Sequence, residues 1–348
     1  MDDKLVAISA SVHVSTDRTI FIWSTKEFAS TKDRRSFRIN VDYDHAVRVR
    51  WSPDGRALVA YKYNEGCIEV YKVEKVNGWF QNSTRGLTFP RAYMDDIVGF
   101  GMAPDGKFLM TCSNRTDLTI WDARANVLAK VDTFLMNTYG AKVSPCSKFI
   151  AACGFATDVP VWHVRFSKTG EFQTVQKAFD LTGHKSSIYD VAFDQDTSKT
   201  ATVCKDGTWK IFNTNIDYQK GEMPRCLASG TYNATDAASL IALTPAGEVV
   251  AIVVGKSIQL YSTISGELEG IIDNLCSNQI SSIQFDATGK YLVVSADRYV
   301  RVFHNIPGYR VSLEASREKL KQQKITVAMR ERIQMQIMEN EAFLKKFE

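Results

Sequence analysis

A length of 348 residues with 45% hydrophobic and 11% aromatic side chains supplies ample core material and by itself suggests two or three ordinary domains. The net charge of +4, from 43 basic against 39 acidic residues, excludes the strong field expected of a dedicated nucleic-acid or acidic-membrane binder. The acidic N-terminus MDDKLVAISAS is too short in its apolar run for a signal sequence, and no later stretch approaches roughly 18 apolar residues, so the chain reads as soluble.

In chain order, Leu5 to Ala10 reads as a strand, and a second ends at Trp23. The basic run Lys32-Asp33-Arg34-Arg35 follows as a loop, and Lys32, Arg34 and Arg35 are candidates for contacting an acidic partner. Turns are then expected at Ser52-Pro53-Asp54-Gly55, Ala103-Pro104-Asp105-Gly106, Ser144-Pro145-Cys146-Ser147, Thr244-Pro245-Ala246-Gly247 and Asp286-Ala287-Thr288-Gly289. Where present, proline presets φ at the first corner and a terminal glycine relieves strain. Each turn leads into an apolar strand: LVAYKY, FLMTCS, FIAACG, VVAIVV and YLVVSA. Trp79-Phe80 and Phe166 to Phe172 read as parts of outer strands, where alternating aromatics pack between sheets. Asp95-Asp96 precedes a first strand and reads as structural, and Arg115 before Asp117 is a further candidate partner contact.

Internal repetition overrides the domain count suggested by length. Aromatics close successive third strands at Trp23, Tyr71, Trp121, Trp162, Phe212, Tyr261 and Phe303, with spacings of 48, 50, 41, 50, 49 and 42 residues. That is the period of a propeller blade, roughly 40 to 45 residues with loops added. The fullest copy spans 183 to 212, with strands Ile188 to Phe193, Thr200 to Cys204 and Thr208 to Phe212. It resembles a WD-type repeat, which implies a structural hydrogen-bonded relay of His184, Thr202 and Asp206. The expectation is an all-β, seven-bladed WD40-type β-propeller over 1–310. Its first and last blades are incomplete at an N-terminal seam, where unpaired edges would invite pairing with a partner.

Residues 311–348 change character: from Ser312 there is no glycine or proline, and Leu320, Val327, Ile333, Ile337, Leu344 and Phe347 mark an apolar stripe. Arg317, Glu318, Lys319, Lys321, Arg330, Glu331 and Arg332 occupy the other faces of this amphipathic helical tail. The stripe fits either a packing face on the propeller or a short coiled coil with a partner or a second copy.

Reactive constellations are missing from the sequence. His13, His45, His163, His184 and His304 form no HExxH, HxH or zinc-spaced Cys/His cluster, so no metal is expected. No GxSxG, GxxxxGK[ST] or GxGxxG pattern occurs, and no catalytic residue or cofactor is expected. Seven singly spaced cysteines read as buried free thiols in a reducing compartment. The three glycosylation sequons, at Asn82, Asn114 and Asn233, read as chance matches.

A more specific resemblance rests on DRTIFIWSTKEF from Asp17, Val143-Ser144-Pro145-Cys146, CGFATDVPVW from Cys153, Lys205-Asp206-Gly207-Thr208-Trp209-Lys210, and Arg301-Val302-Phe303-His304-Asn305 with Pro307-Gly308. These stretches, spread over residues 5 to about 310, resemble the transducin beta-like protein 2 family of WD-repeat proteins. The resemblance implies a non-enzymatic adaptor on the cytosolic face of the endoplasmic reticulum, associated with a stress-sensing kinase that phosphorylates a translation initiation factor. The membrane anchor of such adaptors is not expected in this form, so a cytoplasmic location is the alternative expectation. RNA or ribosome binding through basic loops and the tail is the alternative, distinguished by its salt dependence.

Overall fold

A computed structural model describes residues 5–9, 18–24, 36–77, 79–91, 93, 95–297, 299–321 and 326–347. Its strands pair antiparallel with their chain neighbours, as short β-branched and aromatic runs separated by tight turns require. The first sheet has three strands: β1 (Leu5–Ser9), β2 (Thr19–Ser24) and β3 (Ser36–Asn40). The next holds β4 (Ala46–Trp51), β5 (Ala57–Lys62), β6 (Ile68–Val76) and β7 (Trp79–Thr88), and is followed by β8 (Ile97–Met102), β9 (Leu109–Ser113), β10 (Asp117–Trp121) and β11 (Val127–Asp132). A fourth contains β12 (Thr138–Val143), β13 (Phe149–Gly154), β14 (Val159–Phe166) and β15 (Phe172–Leu181). The fifth comprises β16 (Ile188–Phe193), β17 (Lys199–Cys204), β18 (Thr208–Asn213) and β19 (Arg225–Thr231). Then come β20 (Ile241–Leu243), β21 (Val249–Val254), β22 (Ser257–Ser262) and β23 (Leu268–Ile272), and finally the three strands β24 (Ile280–Phe285), β25 (Tyr291–Ala296) and β26 (Tyr299–His304).

The expected seven blades are corrected to six, running from β4 to β26, of which five are complete four-stranded sheets. The N-terminal sheet is a three-stranded piece in which β1, β2 and β3 pair with one another. The chain divides into two compact units: residues 1–191 with 204–206 and 215–224, and residues 192–203, 207–214 and 225–348.

The repeated turns have one geometry. Gly55, Gly106, Ser147, Gly247 and Gly289 each donate their N–H to the carbonyl three residues back, over 2.8–3.0 Å. All five have φ between 63° and 74°, the left-handed region in which glycine is unstrained and Ser147 is not. Ser52, Ser144, Thr244 and Asp286 also turn a side-chain oxygen onto a backbone N–H at the start of the following strand. Sequence reading missed a sixth such turn, Asp194 to Thr197, since it has neither proline nor glycine and places Thr197 at φ 59°.

Each predicted closing aromatic lies on its expected strand: Trp23 on β2, Tyr71 on β6, Trp121 on β10, Trp162 on β14, Phe212 on β18, Tyr261 on β22 and Phe303 on β26. Cores form between neighbouring sheets, as where Phe108, Met110 and Ile120 meet Ile150, Ala152 and Trp162. Trp121 also donates its Nε1–H to Thr111 Oγ1 at 2.9 Å, satisfying a buried indole. Trp79 and Phe80 begin outer strand β7 as expected. Phe166 instead ends third strand β14 and stacks on Phe108, with only Phe172 on outer strand β15.

One polar cluster on β14 gives stability a pH dependence. His163 Nδ1 accepts from Tyr218 Oη and, at 3.3 Å, from Arg165 Nε, with Phe149 packed against the ring. Burial first, then the positive charges of Arg165 and Lys148, depress the imidazole pKa to about 4. The unfolded chain therefore binds more protons than the folded one below about 6.5. Stability should be fully present above that value and fall by roughly 2–3 kcal/mol as pH drops towards 4. Urea titrations from pH 7 to pH 4 test this, and His163→Phe should flatten the profile.

The cysteines are unpaired. Cys67, Cys112, Cys153 and Cys204 are buried as expected, but Cys226 is exposed, because β19 is an outer strand with one face to solvent. Burial pushes the Cys67 thiol up to about 11 and that of Cys112 to about 12.

The helical part begins at Ile306 rather than 311, and it forms two helices. In α1 (Ile306–Lys321), Asn305 Oδ1 accepts from Gly308 N at 3.0 Å and Pro307 sits in the first turn, where its missing N–H has no cost. Helix α2 (Val327–Leu344) is capped by Thr326, whose hydroxyl accepts from Met329 N. The pairings Tyr309–Phe343 and Ser312–Asn340 require the two to run antiparallel. α1 packs on β21 and β22, with Val311 in their core. The stripe is only partly covered. Ile333 is buried within it, whereas Val327 and Phe347 are exposed.

Candidate protein-interaction surface

The antiparallel order of each blade sends two kinds of connection to one end: the loop entering the inner strand and the loop between second and third strands. In the first unit, backbone hydrogen bonds tie these loops in pairs. Asn114 N donates to Asp96 O at 2.8 Å, and Phe155 N to Asn137 O at 2.9 Å. In the loop entering β4, buried Asp44 accepts from the N–H groups of His45 and of Asn64 and Glu65 in the β5–β6 loop at 2.7–3.0 Å. Sequence reasoning missed Asp44, since a carboxylate between Tyr43 and His45 matches no repeat signature.

The loop between β11 and β12 holds the most distinctive feature of this end. Leu135 is buried and plugs the core, while its neighbours Phe134 and Met136 are 83% and 73% exposed. Both neighbours have positive φ, 56° and 57°, a conformation that costs non-glycine residues on the order of 1 kcal/mol each. Asp132 Oδ1 holds Phe134 N at 2.8 Å, so the strained loop is fixed. Phe155, whose N–H donates to the carbonyl of Asn137 in that loop, is also more than half exposed. Folding gains nothing from displaying large apolar side chains in strained backbone, whereas a partner would cover them.

Inner strands add charge beside these loops. Arg48 and Arg50 project from the same face of β4, and each guanidinium donates to a carbonyl of its own strand, Val47 O at 3.0 Å and Val49 O at 2.8 Å. On β12, Lys142 Nζ lies 2.8 Å from Asp190 of β16. Exposed Tyr139 packs on Tyr189, with ring centroids 6.0 Å apart.

The sequence-predicted contacts fare differently. Lys32, Arg34 and Arg35 lie outside the described residues. Arg115 is exposed and pairs with Asp95 at 2.9 Å, an interaction within this surface that holds the guanidinium pKa above its ordinary value. As a solvated ion pair it contributes little to stability.

In the relay, His184 and Thr202 are buried and Asp206 sits at an exposed turn before Gly207, whose φ is 82°. Cys204, which the sequence reading did not include, joins them: the ligand atoms of His184, Cys204 and Asp206 lie within 4.8 Å of one another. That spacing could bridge a metal ion. The thiol, however, donates to Ser186 O at 3.3 Å, and burial together with Asp206 raises its pKa, so a metal would displace both a proton and a hydrogen bond. Among the described residues no helix is long and apolar enough to cross a membrane.

Relatives agree with the repeat reading. The WD40 family (WD domain, G-beta repeat) matches residues 173–213 and 271–304. Human transducin beta-like protein 2 is 40% identical over 332 residues, covering 94% of this chain and 74% of its own. The mouse protein of the same name is 40% identical over 331 residues, with the same shares. At that identity and coverage the chain belongs to the transducin beta-like protein 2 family of WD40-repeat propellers.

Proposed function

We propose that the chain is a non-enzymatic scaffold that needs no cofactor and whose protein clients dock on the loop end of the first unit through Phe134, Met136 and Phe155. The observation that carries this is the strained loop that exposes Phe134 and Met136 around a buried Leu135. Membership of the WD40 repeats supports protein partners, and loops held at the end of a rigid scaffold are where binding residues concentrate.

The family resemblance supports a finer reading: the client is a stress-sensing kinase that phosphorylates a translation initiation factor, met at the cytosolic face of the endoplasmic reticulum. A second reading, RNA or ribosome association, is supported by exposed Arg330 and Arg332 on α2. A pull-down from cells with and without ribonuclease separates the two. The kinase should be retained after ribonuclease by the wild type and lost with the double variant Phe134→Ser/Met136→Ser. Loss with ribonuclease and retention by the loop variant would replace the scaffold reading with the RNA one.

A further inference from the structure

The exposed loop residues leave unexplained why two arginines stand side by side on the inner strand β4 of the same unit. Arg48 and Arg50 are two apart on β4, so strand geometry puts them on one face, about 7 Å apart. Among the described residues neither has a carboxylate within ion-pairing distance, and their side-chain bonds go to carbonyls of their own strand. The nearby acid, Asp190, is engaged by Lys142 at 2.8 Å and accounted for further by the N–H of Val191 at 2.8 Å. It reaches Arg48 only as a weaker, longer-range attraction. The cluster of Arg48, Arg50, Lys142 and Asp190 therefore carries an excess of positive charge.

Both arginines are solvent-accessible, yet enough protein surrounds them to lower their pKa values. For Arg50 the fall is to about 10, from burial first and then from repulsion by Arg48. Two like charges held together in a partly desolvated place are unfavourable without a counterion. Tyr139 of β12 and Tyr189 of β16 pack on each other along the same two strands that carry Lys142 and Asp190, and Phe134 and Met136 lie in the loop that leads into β12. Carboxylates for the arginines and apolar side chains for the loop together describe one kind of occupant.

We infer that Arg48 and Arg50 receive the carboxylates of an acidic, extended peptide segment of a client protein, whose apolar residues rest on Phe134 and Met136. This rests on the docking surface proposed above and names the chemistry of what docks there. The same-face repeat of an extended peptide, about 7 Å, matches the spacing of the two arginines, and charge-assisted bonds to a guanidinium are the strong class. A nucleic acid is the poorer fit, because the few cations are interrupted by Asp190 and the chain as a whole has a net charge of only +4.

Fluorescence anisotropy with a labelled peptide of alternating glutamate and phenylalanine tests the inference on the full chain, alongside the same peptide with glutamine for glutamate and a labelled oligouridine. The glutamate peptide should bind, and Arg48→Gln/Arg50→Gln should weaken it by roughly 10- to 100-fold, the scale for losing close charge pairs. Arg115→Gln should leave it unchanged. Arg48→Lys/Arg50→Lys, which keeps the charge, should recover part of the loss and thereby excludes misfolding as its cause. Equal binding of the glutamine peptide, or no loss in the Gln variant, would overturn the inference. So would tighter binding of oligouridine that depends on the same arginines. If the client pull-down still depends on Phe134 and Met136 while the acidic peptide fails, only this inference falls and the docking surface stands.

Discussion

Glu69→Leu should destabilise the protein by about 3–5 kcal/mol, the scale for leaving a buried charge without its partner. Glu69 on β6 is 1% exposed and lies at the centre of a polar group inside an apolar sheet. Its carboxylate accepts from Tyr71 Oη and Thr88 Oγ1, pairs with Arg85, and faces the Lys62 ammonium at 3.5 Å. Lys62 is fully buried and keeps a second contact, 2.8 Å to Glu65. Burial alone would lower the Lys62 pKa, but Glu65 and Glu69 outweigh it and hold the amine above its ordinary value. Without Glu69, half-exposed Glu65 must balance that charge alone. The double variant Lys62→Met/Glu69→Leu should therefore lose less than the sum of the single losses, because it removes both buried charges together. Urea midpoints of the three variants decide this, and strict additivity would show that the two groups do not act as a pair.

Trp209→Ala should cost about 3–5 kcal/mol, through the transfer of a large apolar ring and the cavity it leaves. Trp209 on β18 is completely buried, with the Tyr261 ring centroid 5.4 Å away. Its fit is also close at Gly230 of the neighbouring strand, where a Cβ would come 2.6 Å from the indole. Gly230→Ala should accordingly cost about 1–3 kcal/mol by overpacking. Thermal unfolding reads both, and a neutral Gly230→Ala would mean that the ring has room to move.

Much of this fold was legible in the sequence because its signals are local. Aromatics at a blade period located all the third strands, and Pro-Asp-Gly chemistry located the turns, since both depend on residues within one hairpin. The sixth turn escaped because Thr197 takes a glycine's conformation without being glycine. Helix α1 was placed late because Asn305-Ile306-Pro307-Gly308 reads as chain punctuation, although Asn305 is a cap and Pro307 suits a first turn. The blade count failed at the N-terminus, where Trp23 lies in a three-stranded sheet, β1 to β3, rather than in a full blade.

Less of the candidate site was legible. Arg115 was found, but its partner Asp95 comes from a loop 20 residues earlier, and pairing makes it ordinary. Phe134 and Met136 look like core residues in sequence; only the backbone, with Leu135 turned inward, puts them outside. Arg48 and Arg50 read as the polar alternation of any strand. Their meaning comes from β12 and β16, which place Lys142 and Asp190 nearby and pair that acid with the lysine. Cys204 joined His184 and Asp206 through folding alone, since no zinc-type spacing connects them.

The most direct measurement is photocrosslinking in cells from a benzoylphenylalanine placed at position 134, with the same group at exposed Met335 on α2 as comparison. Ribonuclease-resistant adducts with a client protein at position 134, identified by mass spectrometry and absent at 335, are the predicted result. Adducts at 335 alone, or adducts at 134 only with RNA, would contradict the assignment of this loop end as the docking surface.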